Sequence, residues 1–283
     1  MGYELLFSKN TGIRRKGTTF SELQDIFIND ITTKYIYEDL ACCRIDDNPT
    51  DVKNTLIERD YDVLGVVDNK LKKIGYIKKE SLKGSNIREN LLEFSIPQLI
   101  SESTPLDELF EILTDKEFAF ILNGNEIEGI VTRADINKII VRIYLFGIIS
   151  LYELHLNYWI KQTYINEAWK AKLSSKRLQS AEGVFHERVG NNDQLTLLEC
   201  LQICDKKDIL KSTESFIGTF NYSKSKLKQL LERIEKIRNE LAHSQNSIIL
   251  NLKWLDFVSS IKQVKDFLIK SESIIEQKNT ENK

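Results

Sequence analysis

The chain is poor in cysteine, proline and net charge, and each scarcity removes a class of protein. Four cysteines in 283 residues are too few and too scattered for a disulfide scaffold. Cys42 and Cys43 are adjacent, and Cys200 and Cys204 lie one helical turn apart. No further metal ligands stand near either pair, so no metal site is expected. All four read as reduced, with Cys200 and Cys204 facing the core. A formal net charge of −2 provides no global basic field to recruit nucleic acid. RNA binding would need a local basic patch, or one completed by a second copy. No long run is purely apolar. The most apolar stretch, 139–160, carries Arg142, Glu153 and His155, which are costly in lipid. It reads as a buried helix, and no membrane span is expected. The early apolar run is short and followed by lysine and arginine, so no signal peptide is predicted and the default location is cytoplasmic.

What is present divides in two. The composition, 41% hydrophobic and 29% charged, suits a globular chain long enough for two domains. All three prolines (Pro49, Pro97, Pro105) precede residue 106, and all three tryptophans (Trp159, Trp169, Trp254) follow residue 150. Short apolar runs separated by turns fill the first half, and long helical patterns fill the second. The expected fold class is α+β, with a mixed domain at 1–140 and an all-α domain at 141–283. The basic cluster Arg14-Arg15-Lys16 reads as a solvated loop.

The first half repeats itself. Asn48-Pro49-Thr50-Asp51-Val52 opens a helical stretch to Arg59, followed by a strand at 63–67, the turn Asp68-Asn69 and a strand ending Gly75-Tyr76-Ile77. Thr104-Pro105-Leu106-Asp107-Glu108 opens the second unit, followed by a strand at 118–122, the hairpin signal Asn123-Gly124 and the segment Gly129-Ile130-Val131-Thr132-Arg133-Ala134-Asp135-Ile136. This order, the Thr-Pro-Leu entry and the last segment resemble a tandem pair of CBS domains, the repeats falling at about 20–84 and 94–140. The resemblance implies an adenine nucleotide or related effector in a cleft between repeats. It implies Thr132 at phosphate or ribose and Asp135 at the ribose hydroxyls, with Arg133 adding charge. A hydroxyl beside helix N-terminal amides can hold an anion, and a carboxylate can accept two hydroxyls. Lys78 and Ser81 replace the corresponding Thr and Asp in the first unit, so its cleft is not expected to take a nucleotide in the usual way. Thr132 and Asp135 also read as a plain helix start.

From Asp135 an apolar helical pattern runs almost without a break to residue 170, which predicts a helix shared by both domains and able to couple them. Glu153 lies inside it and needs a cationic partner if buried, for which Arg238 is the candidate. Residues 171–193 read as helix, break and loop, with His186 on the surface. A helix is expected through Leu195, Leu198, Leu201 and Cys204. A third spans about Lys224 to Ala242 on the stripe Leu227, Leu230, Leu231, Ile234, Ile237 and Leu241. A fourth spans roughly Leu252 to Ile275, before a polar, frayed tail.

The third helix ends Arg238-Asn239-Glu240-Leu241-Ala242-His243, which places one of only three histidines beside an arginine and an amide. Histidine exchanges protons near neutrality, and arginine grips a phosphate bidentately. At about 100° per residue Asn239 and His243 share a helix face, whereas Arg238 points elsewhere. Basic residues also favour helix C-termini for the dipole alone. The bundle, the hexamer and the inner Glu153 resemble the HEPN superfamily, over roughly 141–278. That resemblance implies a homodimer whose motif helices meet in one composite site. It implies metal-independent cleavage of an RNA substrate through the 2′-hydroxyl, by Arg238, Asn239, His243 and Glu153, without a catalytic cofactor. Toxin or antiviral roles are common among such ribonucleases. The alternatives are a non-catalytic nucleotide-sensing dimer whose HEPN domain binds RNA or a protein, and a structural dimerisation protein.

Overall fold

A computed structural model describes residues 5–8, 11–190, 195–243 and 246–281. In chain order its elements are α1 (Phe20–Asn29), β1 (Glu38–Asp39), β2 (Cys42–Arg44), α2 (Pro49–Glu58), β3 (Val63–Val67), β4 (Lys73–Lys78), β5 (Leu99–Ser101), α3 (Leu106–Ile112), β6 (Phe118–Asn123) and β7 (Glu126–Thr132). The helices α4 (Ile139–Thr163), α5 (Ser175–Val189), α6 (Ile203–Leu210), α7 (Glu214–Phe220), α8 (Lys224–Ala242) and α9 (Trp254–Glu281) follow. Two compact units result: Ile28–Ile140, and Met1–Phe27 together with Val141–Lys283. The boundary near 140 matches the composition shift. The first 27 residues, which the sequence reading assigns to the mixed domain, pack instead with the helical one.

The mixed unit holds two sheets, β2-β3-β4 and β1-β7-β6-β5. Each repeat runs strand, helix, parallel strand, antiparallel hairpin: β2 pairs parallel with β3, which turns back to β4, and β5 pairs parallel with β6, which turns back to β7. Asn48 caps α2, its side chain accepting from the Thr50 N–H at 2.8 Å, with Pro49 at the first helical position. The hairpin at Asn123-Gly124 has Gly124 at φ +60°, where glycine costs nothing. The repeat extends to a shared steric need. A Cβ on Gly75 would meet Leu92 O, and one on Gly129 would meet Glu38 O, because a passing segment crosses each hairpin at the same place. Leu40, Val63, Tyr76, Phe118 and Phe120 join the two sheets in one buried cluster. The ring centroids of Tyr76 and Phe120 lie 4.9 Å apart, so aromatics fill the space between these strands.

The helix expected from Asp135 does not form as one piece. Arg133–Asn137 is a 3₁₀ turn, Lys138 is extended at ψ 147°, and α4 starts at Ile139. The Lys138 ammonium contacts Ile36 O at 2.5 Å and Asp135 Oδ1 at 3.0 Å and pairs with Glu38, and these contacts hold its backbone out of helical geometry.

In the helical unit, α8 has the expected limits, and Leu227, Leu230, Leu231, Ile234 and Ile237 are buried. Two expectations are corrected. The helix drawn through Leu195, Leu198, Leu201 and Cys204 is a 3₁₀ turn at Leu197–Cys200 followed by α6. Each piece starts with its own capping box, Thr196 with Glu199 and Gln202 with Asp205, and these reset the chain twice within ten residues. The fourth helix runs past Ile275 to Glu281. Of the expected loop before residue 195, positions 191–194 lie outside the described residues. By length and composition α4 could span a bilayer, but half of its most apolar window is buried in protein, including Tyr152 and His155.

Candidate functional site

The candidate centre in the helical unit is assembled by α4, α6 and α8. Glu153, midway along α4, presents both carboxylate oxygens to cations. Oε2 accepts from Lys206 Nζ of α6 at 3.0 Å, and Oε1 lies 3.9 Å from Arg238 Nε of α8. The predicted Glu153–Arg238 partnership is therefore present, as the looser of two contacts. The Lys206 side chain is 3% exposed and that of Arg238 49% exposed, so the carboxylate separates a buried cation from an open one. Arg238 Nη1 also approaches Asn239 Oδ1 at 3.5 Å.

His243 is the C-cap residue of α8, and its backbone N–H donates to Asn239 O at 3.0 Å. Asn239 and His243 are both exposed. Within one chain, no hydrogen bond among the described residues joins the His243 imidazole to Arg238. The geometry objection raised by their spacing holds in the folded helix. Glu240 between them is buried and accepts from Asn251 Nδ2 at 2.8 Å, which ties the motif helix to the following loop.

Sequence reasoning missed Lys206, Glu240 and Asn251. Lys206 stands next to Lys207 in a short helix, and nothing in Ile203-Cys204-Asp205-Lys206-Lys207 shows which lysine turns inward. Lys207 pairs with Glu232 at 3.3 Å. The orientation is set by Asp205, which caps α6 and receives Arg177 Nε at 2.6 Å.

In the mixed unit the residues proposed for a nucleotide are engaged in the fold. Thr132 and Asp135 form a capping box: the Thr132 N–H donates to Asp135 Oδ2 at 2.7 Å, and Thr132 Oγ1 accepts from the Ala134 N–H at 3.2 Å. Asp135 is buried, with Lys138 on its other oxygen. Arg133 donates to Leu113 O and Thr114 O at 2.8 and 2.9 Å, closing the C-terminal end of α3. The same unit has a hollow of about 220 Å³ at the start of α2, bounded by Cys42, Asp47, Asn48, Asp51 and Thr55. Its two carboxylates and lack of lining cations disfavour phosphate. Burial pushes the neighbouring Cys43 thiol up to about 11, so it is no ready nucleophile.

Comparison with known proteins supports the mixed unit. The CBS domain family matches residues 96–142, which covers the second repeat. Among solved structures, the CBS domains of a transcriptional regulator from Streptococcus pneumoniae are 17% identical, covering 38% of this chain and 97% of that one, with a TM-score of 0.33. CBSX2, known from Arabidopsis thaliana, in complex with AMP is 18% identical, covering 40% and 96%, with a TM-score of 0.34. A CBS domain pair in complex with 5′-methylthioadenosine and S-adenosyl-L-methionine is 19% identical, covering 37% and 91%, with a TM-score of 0.33. No curated protein matches the chain. Residues 96–142 thus match the CBS domain family, in a chain of mixed α+β structure.

Proposed function

We propose that the helical unit is a metal-independent endoribonuclease of the HEPN type, acting as a homodimer, and that the CBS region binds an adenine nucleotide or related effector. The observation that carries the reading is the end of α8. A half-exposed guanidinium, an exposed amide and an exposed imidazole lie within six residues there, and the arginine is held by two long contacts, to Glu153 Oε1 at 3.9 Å and to Asn239 Oδ1 at 3.5 Å. His243 takes the 2′-hydroxyl proton or protonates the leaving oxygen. Arg238 holds the scissile phosphate and the charge that develops on it. Asn239 orients one of them. Arg238 and His243 do not meet within a chain, so the complete constellation draws on a second protomer's α8.

The effector reading rests on the CBS match at 96–142 and on Thr132 and Asp135 at the strand-to-turn junction. In the conformation described, Lys138 occupies Asp135. A nucleotide ribose and Lys138 therefore compete for the same carboxylate.

The same separation of Arg238 from His243 favours, as second reading, a nucleotide-sensing dimer whose helical unit binds RNA or a protein without cutting it. An RNA cleavage assay of wild type and His243→Ala, with and without AMP, decides. Cleavage by wild type and its loss in the variant is the expected result, and equal behaviour of the two proteins removes the ribonuclease.

A further inference from the structure

We infer that Lys206 is the counter-ion that consumes the charge of Glu153 and so leaves the positive charge of Arg238 available to a phosphodiester. The inference deepens the ribonuclease reading and rests on it for the identity of the anion. The observation is an asymmetric triad. One carboxylate meets a buried ammonium at 3.0 Å and a half-exposed guanidinium at 3.9 Å. Two cations and one anion leave one net positive charge. The tighter contact lies inside and the looser one outside, so the residual charge resides on the solvent-facing member.

Removal of Lys206 would change more than packing. Glu153, 23% exposed, would keep its negative charge with Arg238 as its remaining partner in the triad. The pair would then sum to zero, the guanidinium fork would turn inward to the carboxylate, and an incoming phosphate would face Glu153 directly. Lys206 is thus a positioning residue. It touches no substrate, but it sets how Glu153 divides its attraction and which edges of Arg238 face outward. The α6 backbone supports this placement. Asp205, the preceding residue, is clamped by its capping box and by Arg177, which fixes the rotation of the helix that carries Lys206 inward.

The test uses the full-length protein and a uniformly 2′-O-methyl RNA oligonucleotide, which cannot be cleaved through its sugar. Lys206→Met is expected to bind it about tenfold more weakly than wild type. Lys206→Gln, which keeps a hydrogen bond to Glu153 without the charge and guards against misfolding of the methionine variant, is expected to show the same loss. Lys206→Arg is expected to bind as wild type. The decisive protein is Glu153→Gln combined with Lys206→Met. Its triad again carries one net positive charge, so binding should recover, which loss of Lys206 packing alone does not explain. Neutral variants that fold and bind like wild type, or a double variant as weak as the single, overturn the inference. If Lys206 moves binding as stated but wild type never cuts RNA, the counter-ion role stands and the ribonuclease falls. If His243→Ala abolishes cleavage while the Lys206 variants bind normally, the reverse holds. A wild type that binds no oligonucleotide overturns the inference, and the cleavage assay then judges the ribonuclease by itself.

Discussion

Glu272 on α9 and His155 on α4 lie in a buried polar patch that links them to the N-terminal segment. Glu272 Oε1 accepts the N–H of Phe20, the first residue of α1, and lies 3.8 Å from His155 Nε2. His155 Nδ1 meets Ser271 Oγ at 2.7 Å, which also accepts from Trp159 Nε1. Burial pushes the Glu272 carboxyl up from an ordinary 4.5 to about 7, and burial pushes His155 down from 6.5 to about 3. The two therefore act on stability in opposite directions. The raised carboxyl contributes stability that is full below pH 4.5 and is lost as pH rises to about 7. The depressed histidine contributes stability that is full above pH 6.5 and is lost as pH falls towards 3. Glu272→Gln keeps an acceptor for Phe20 and removes the buried charge. Thermal or urea unfolding should find the variant more stable than wild type by roughly 2 kcal/mol at pH 8 and nearly equal at pH 4. An advantage that persists unchanged at pH 4 would show that ionisation is not the cause. At Asp135 the competition with Lys138 gives a second expectation. Lys138→Ala should bind AMP several-fold more tightly by calorimetry, and weaker binding would place the ribose elsewhere. Thr132 and Asp135 were legible from sequence as a helix start because a capping box is a local pattern. Lys206 was not, because its burial depends on how α6 is rotated against α4.

Elements written in one consistent local signal were readable, and those set by competing local signals or by contact between distant segments were not. The limits of α8 follow from a Ser223 cap, a regular apolar stripe and a polar opposite face. The stretch at 195–204 failed because its leucines fit a helical period while two capping boxes, an equally local signal, break it. The 133–139 junction failed because an extended Lys138 is held by Ile36 and Glu38, about a hundred residues away in the chain. The glycine crossings in the two hairpins are also non-local, and they supply the prediction at this scale. Gly129→Ala places a methyl against Glu38 O on β1, which is antiparallel to β7 through Glu38↔Ile130. The backbone on both sides has no free rotamer to yield. The variant should lose about 1–3 kcal/mol in chemical unfolding, with early exchange of the β1 and β7 amides. Gly183→Ala on α5 has open space at its Cβ and serves as the control that should be neutral or stabilising. Similar losses from both would point to a general intolerance of the chain and not to the crossing.

For the molecule as a whole, the chain divides between Ile140 and Val141, and its first 27 residues group with the helical unit and not with the mixed one to which the sequence pattern assigns them. The N-terminal segment joins the helical unit through Arg14 with Glu276 and Phe20 with Glu272, pairs separated by some 250 positions, and no period or motif announces such pairs. The same limit applies to function, because the motif on α8 reads as half of a site. In the proposed homodimer each composite site takes an Arg238 and a His243 from both protomers. Single substitutions should lower kcat by roughly 10² to 10⁴ for His243→Ala and leave the helical content unchanged. Mixing Arg238→Ala with His243→Ala should then restore part of the cleavage, because a heterodimer holds one intact arginine and one intact histidine in the same site. Refolding the two variants together, isolating the heterodimer through different affinity tags and measuring single-turnover cleavage tests this. Recovery well above either homodimer supports a shared site. Activity no higher than that of the parents means that the two protomers do not complete one site together, and the shared-site reading falls.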